Sequence, residues 1–354
     1  MHYKHLILLA LAIFSTKNYA QNIPLYVGTY TNEDAKGVYQ LQFNTETGTL
    51  SKQQLAIEID NPSFLQYSPD RKYLYSTNAT NDGFVSSYTV NEDGTLTLLT
   101  RMRSHGVLPC HISLNEAGDK AAVSNYRGGT VAIFPINKDG SLNDASQVFD
   151  HNSEGTKSHA HSAHFFNDDL FVADLGTNSV FQYELKKGEY KLDTDAIVKT
   201  KDNPGPRHFT MTKDGEFMYV INEIGSSITS IKRNGNKFKE IDFDSTLAED
   251  YKGENASADI HLSNDEKFLY ATNRGENAIA VFERNTKKGT IEKVQNVSVH
   301  GDWPRNFAMD PTGNFLIVAN RRSNNLVVFK IDQASGKLTY LQEHKTPTPV
   351  CLLF

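Results

Sequence analysis

Cysteine is almost missing from this chain: Cys110 and Cys351 are the only two among 354 residues. At most one disulfide is available. A chain of this length builds a core large enough to need none, so both thiols are expected to be free and buried. Excess positive charge is missing too. Lys and Arg total 36 against 42 Asp and Glu, a formal charge of −6. That leaves no broad basic surface for a nucleic acid backbone and excludes nucleic acid as a partner. Long apolar runs are limited to Leu6–Phe14, which is too short to cross a bilayer, so no membrane span is expected. Beyond residue 20 no stretch keeps apolar residues at a 3.6-residue period, which argues against a helical architecture. What is present suffices for a large core: 38% hydrophobic and 10% aromatic residues lie far from the disordered class.

The one apolar run sits in MHYKHLILLALAIFSTKNYA. A short basic start, an apolar stretch and a small residue at Ala20 follow the order of a signal peptide. Residues 1–20 are read as a leader cut after Ala20, which makes the product periplasmic or secreted. No cysteine follows the run to carry a lipid anchor. Residues 21–354 are read as one domain.

That domain repeats itself. A phrase of two apolar residues, two small or β-branched ones and a polar anchor recurs as LYVGT, LYSTN, AAVSN, LFVAD, MYVIN, LYATN and LIVAN. The anchors are Thr29, Asn78, Asn125, Asp174, Asn222, Asn273 and Asn320, spaced 49, 47, 49, 48, 51 and 47 residues apart. Around each lie short β-branched and aromatic runs punctuated by Asp-Gly and Asn turns, which is the signature of a four-stranded antiparallel sheet. Seven such units predict an all-β, seven-bladed propeller. The first unit lacks a leading Pro strand and the C-terminal TPVCLLF supplies one, so the last strand is expected to complete the first blade.

In each unit the Pro-led strand and the anchor strand form a hairpin, so the start of one and the end of the other share one face around the axis. The strand starts are Ser63-Phe64, Cys110-His111, Ala160-His161, Arg207-His208, Ala258-Asp259, Arg305-Asn306 and Val350-Cys351. The residues after the anchors are Tyr30, Ala79, Tyr126, Leu175, Glu223, Arg274 and Arg321. His161, Arg207, Glu223, Arg274, Arg305 and Arg321 therefore converge, with Asp259 nearby. Guanidinium groups match carboxylate or phosphate oxygens, and the cluster points to a pocket for a small anionic or oxyanion-forming ligand. Tyr30, Tyr126 and Trp303 are candidates to line it. His111, His164, His208 and His261 are read as strand or core residues. His159 and His161 have metal-ligand chemistry, but the adjoining arginines raise the cost of adding a divalent cation, so no metal is expected.

The segments HSAHF, GPRHF followed by NE, SADIHLSNDEKFLYATNRG and WPRNF…DPTGNFLIVAN resemble the seven-bladed propeller lactonase family, which includes bacterial 6-phosphogluconolactonases and fungal muconate-lactonising enzymes. The resemblance spans essentially residues 21–354. It implies lactone chemistry without metal or organic cofactor, on a small lactone or anionic substrate. By motif position it assigns catalytic roles to His161, Arg207, Glu223 and Arg274, with His159 competing for the first, and matches Arg305 to an Arg shared with the phosphogluconolactonases. Arg305, Arg321, His159 and Asp259 are taken as substrate-binding residues.

Lactone hydrolysis requires an activated water and donors for the developing oxyanion. A carboxylate beside arginines is expected to have a lowered pKa, whereas an ordinary imidazole, at about 6.5, suits neutral pH. His161 is therefore favoured as base and Glu223 as its orienter. The alternatives are a non-catalytic propeller that binds an acidic sugar or a protein partner, and a muconate-type cyclase. An export leader sits poorly with a phosphorylated cytosolic substrate. The product is expected to be a monomer.

Overall fold

The computed structural model describes residues 21–200 and 204–354; the leader and its cleavage site lie outside the described residues. Seven antiparallel sheets form a ring. The second blade is typical, running Pro62–Tyr67, Tyr73–Asn78, Phe84–Val90 and Leu96–Arg103 from the axis outward. The first blade is built from both ends of the chain. Pro349–Leu353 takes its innermost place and pairs with Asn22–Thr29, as the missing Pro strand predicted. Blade four departs from the simple count, because its outer strand is split. Glu189–Leu192 and Val198–Lys199 both pair with Ser179–Lys186.

The core is divided among the blade interfaces rather than gathered at one centre. Each of seven apolar clusters draws on two neighbouring blades; Phe268, Tyr270 and Val281 of blade six, for example, meet Phe307, Val318 and Phe329 of blade seven. Polar staples accompany this packing. Tyr26, Tyr219 and Tyr270 each donate a hydroxyl hydrogen bond, at 2.8–3.0 Å, to the carbonyl of a turn glycine in the next blade: Gly94, Gly289 and Gly336. Those glycines have φ of +82°, +77° and +69°, the left-handed region that other residues enter only at a cost. Cys110 and Cys351 are free and buried, as expected.

Five of the seven anchors hold their blade to the link entering it. Asn78 Nδ2 donates to the Asp60 carbonyl at 2.8 Å, and its Oδ1 accepts from Ser86 Oγ at 2.7 Å. Asn125, Asn273 and Asn320 make the same type of bond to the carbonyls of Ser104, Thr246 and Val299. Asp174, the one acidic anchor, accepts from Ser158 Oγ and lies 2.9 Å from His151 Nδ1.

Two backbone devices repeat around the axis. The residue after the anchor bonds back to the residue before the inner strand. Tyr30 N donates to the Thr348 carbonyl, Ala79 N to Asn61, Tyr126 N to Leu108, Glu223 N to Gly205 and Arg321 N to Trp303, at 2.7–3.2 Å. The inner strand itself carries a β-bulge, a single unpaired residue between its first two pairs: Ser63, Cys110, His161, Arg207, Arg305 and Val350. In blade six the shift falls between Ser257 and Ile260, around Ala258 and Asp259.

Replacing Asn78 by Ala strands the Asp60 carbonyl and the Ser86 hydroxyl in a dry interior. Stability in urea is expected to fall by about 1–3 kcal/mol, with the far-ultraviolet spectrum unchanged.

Candidate functional site

The two devices build a cavity of about 460 Å³ at one end of the axis. The residues after the anchors supply Tyr30, Ala79, Tyr126, Glu223, Arg274 and Arg321, and the bulges supply Cys110, His161 and Arg305. A bulge suits this task because it turns one side chain out of the regular alternation without ending the strand.

Glu223 is central. Its Oε2 lies 2.7 Å from Arg274 Nη2 and 3.0 Å from Arg207 Nε. The Arg207 contact is an ion pair whose N–H is not aligned as a hydrogen bond. The three differ in access: the Glu223 side chain is 21% exposed, that of Arg274 6% and that of Arg207 2%. Arg274 is tied down by the carbonyls of Ala256 and Ser257, each at 3.0 Å, and its guanidinium lies 5.3 Å from the centre of the Trp303 ring. Across the cavity Arg305 and Arg321 flank the Tyr30 ring at 5.5 and 4.8 Å. Neither is ion-paired to a carboxylate among the described residues.

Some expected members lie elsewhere. Arg207 is buried beneath Glu223 and does not line the cavity. His159 stacks on Tyr126 at 4.7 Å and donates from Nδ1 to the Tyr126 carbonyl at 2.9 Å, behind the wall. Asp259 belongs to a second cavity, of about 220 Å³, further along the same strands with His111, His164, His208 and His261. The cause is strand alternation. Asp259 holds in blade six the place that His208 holds in blade five, and like His208 it faces the second cavity. Among the described residues no group of His, Cys, Asp and Glu is arranged to hold a metal ion.

Asn61 and Leu108 also line the first cavity, and sequence reading missed both. Each immediately precedes the inner-strand Pro with a positive φ, +43° and +52°, as do Trp303 at +65° and Thr348 at +38°. Such angles are uncommon outside glycine and recur at functional sites. The recurring position before that Pro was the available signal.

The electrostatics revise the choice of base. Burial alone would raise the Glu223 carboxyl, but Arg274 and Arg207 outweigh it and hold it below its ordinary value. Burial also drives His161 well below 6.5, with Arg207, His208, Arg305 and Arg274 acting in the same direction. His161 is thus a neutral, weakly basic imidazole, and the match to neutral pH that favoured it as base is lost. Arg207 is lowered to about 9 by burial and by Arg274 and Arg305, which leaves it charged at neutral pH.

Fold and site together define a class: a propeller whose axial pocket is lined by guanidinium groups and a carboxylate. Residues 24–354 match the family described as lactonase, 7-bladed β-propeller, and the chain belongs to it. It is 33% identical over 341 residues to the 6-phosphogluconolactonase of Bacillus subtilis, covering 93% of this chain and 97% of the relative. It is 34% identical to the 6-phosphogluconolactonase of Formosa agariphila, covering 90% and 95%. The periplasmic gluconolactonase of Pseudomonas aeruginosa superposes with a TM-score of 0.88 at 28% identity, covering 93% of this chain and 98% of that one.

The axial histidines make stability depend on pH. Burial is the first cause that lowers His164 to about 3, His208 to about 4, and His111 and His161 well below 6.5. Between those values and 6.5 each binds a proton when unfolded but not when folded. Stability therefore rises with pH through that window, by about 1.4 kcal/mol per pH unit for each such proton. His261 is raised, because Asp259 outweighs its burial, so it acts in a separate window above 6.5, where its contribution to stability is lost as pH rises. Urea midpoints are expected to fall clearly from pH 7 to pH 5; equal midpoints would contradict this protonation scheme.

Proposed function

We propose that the chain hydrolyses a sugar-acid lactone, of the aldono or 6-phosphoglucono type, at the Glu223 cavity. The observation that carries this reading is the division of charge within that cavity. Arg207 and Arg274 share the one carboxylate of Glu223, while Arg305 and Arg321 have no carboxylate partner among the described residues. Unpaired guanidinium groups over a tyrosine ring suit the oxygens of an anionic or polyhydroxylated substrate. The activity named for the relatives in Bacillus and Pseudomonas agrees with it.

In this reading Arg274 and Arg305 donate to the lactone carbonyl oxygen as it gains charge, the role of an oxyanion hole. Glu223, ionised and open to the cavity, orients and deprotonates the attacking water. The water oxygen bonds to the carbonyl carbon, the ring C–O bond breaks, and the leaving alkoxide takes up the proton that Glu223 removed from the water, giving the open hydroxy acid and the ionised Glu223. Neutral His161 is placed to hydrogen-bond the substrate rather than to take the proton, which exchanges the roles expected from sequence. Arg321 binds more distant oxygens. The leader reading makes the protein exported and, with the Pseudomonas likeness, periplasmic, acting as a monomer.

The test is turnover by protein beginning at residue 21 on phosphorylated and unphosphorylated aldonolactones and on a muconolactone. Glu223→Gln is expected to lower kcat at least about 100-fold, and His161→Ala less. The unmodified protein should hold kcat/KM constant from pH 7 to pH 5 and lose it only below about 4.5, the ordinary glutamate value above which Glu223 stays ionised. A larger loss of kcat in His161→Ala than in Glu223→Gln would return the base to His161. No turnover on any lactone, with aldonate binding still seen in the fluorescence of Trp303, the single tryptophan, would identify a binding protein instead. Mass spectrometry of the exported protein is expected to find Gln21 as its first residue.

A further inference from the structure

We propose that the buried pair Asp259–His208 positions Arg207 and, through it, the Glu223 carboxylate; this role rests on the lactonase reading of the cavity. Arg207 is a large side chain, 1% exposed, that does not line the cavity, so its part in the site is to hold Glu223. One edge of its planar guanidinium does so, with Nε 3.0 Å from Glu223 Oε2. The other edge is held from below. Arg207 Nη1 donates to the Ala258 carbonyl and lies 3.3 Å from His208 Nε2. Because the fork is rigid, fixing Nη1 fixes the direction of Nε.

For His208 to accept from Arg207, its proton must sit on Nδ1. Asp259 ensures that: its Oδ1 is 2.7 Å from His208 Nδ1, and an ionised carboxylate only accepts. Asp259 is held ionised by every group facing it. His261 Nε2 lies 3.0 Å from its Oδ2, Asn306 Nδ2 donates to that oxygen at 2.5 Å, and the Phe307 and Ile260 amides add 3.3 and 3.1 Å bonds. Asn306 Oδ1 in turn accepts from the Leu352 amide at 2.7 Å. The aim of Arg207 is thereby referred to blades five, six, seven and the strand that closes the ring.

The experiment compares His208→Phe, which removes the acceptor, with His208→Gln, which can offer an oxygen near the Nε2 position. On a lactone that the unmodified protein turns over, His208→Phe is expected to lower kcat about 10- to 100-fold, the scale of a small misplacement of a reacting group, with KM within about twofold. His208→Gln is expected to recover most of that loss. A crystal structure of His208→Phe should show Arg207 turned away from Glu223. Unchanged kcat with Arg207 in place would overturn the proposal, as would a glutamine variant as slow as the phenylalanine one. If His208→Phe does not fold, Asp259→Asn takes its place: a comparable loss of kcat supports the relay, and full activity overturns it. If the unmodified protein turns over no lactone, the displacement of Arg207 in the crystal still decides the positioning claim, and only the lactonase reading falls.

Discussion

One extra residue per inner strand is the constraint on which the site depends. The bulge at the start of each axial strand frees one side chain for one end of the axis and returns the next to ordinary alternation. Cys110, His161 and Arg305 therefore reach the first cavity, while Phe64, His111, His208 and Asp259, each one residue later, reach the second. Blade identity then sets the chemistry. Small bulge residues, Ser63 and Ala258, stay buried and do not line the cavity; long polar ones, His161 and Arg305, do. A strand without the bulge would shift each of these chains to the other side.

Burying Arg207 has consequences for everything near it. Removing a guanidinium from water costs several kcal/mol unless charge and hydrogen bonds offset it. The offset comes from Glu223, the Ala258 carbonyl and His208. The same positive charge, added to burial, keeps His161 and His208 neutral and opposes the effect of burial on Glu223. Burial and the buried cations together set the protonation of these groups, and Glu223 is left as the ionised acid open to the cavity.

The fold was legible because the repeat is one of spacing as well as composition. Anchors near every 48th residue require equivalent sheets, and a missing first strand matched by a spare last one requires closure. The residues after the anchors were legible for the same reason: one backbone hydrogen bond, repeated from Tyr30 to Arg321 in every blade but the sixth, places them alike, and in the sixth Arg274 pairs with Ala256. The bulges were not legible, since no residue type marks them; they hold Ser, Cys, His, Arg and Val alike. Missing them set Asp259 on the wrong side. The depth of Arg207 and the pKa of His161 were hidden as well, because both follow from neighbours that are far away in sequence.

The residues that form the cavity are separate from those that hold the ring. None of Tyr30, Cys110, His161, Glu223, Arg274, Arg305 and Arg321 belongs to the apolar clusters between blades. Changes at sites that share no partners add nearly independently, so substitutions at these positions can alter the ligand with little effect on blade packing. The Glu223–Arg207–His208–Asp259 line is the exception, because it is continuous with Asn306 and the closing strand through Leu352. Along that line, a change that alters the chemistry also reaches, through side-chain contacts, the joint where the two ends of the chain meet. Divergence in substrate is therefore easiest on the Arg305, Arg321 and Tyr30 side of the cavity, and most constrained beneath Glu223.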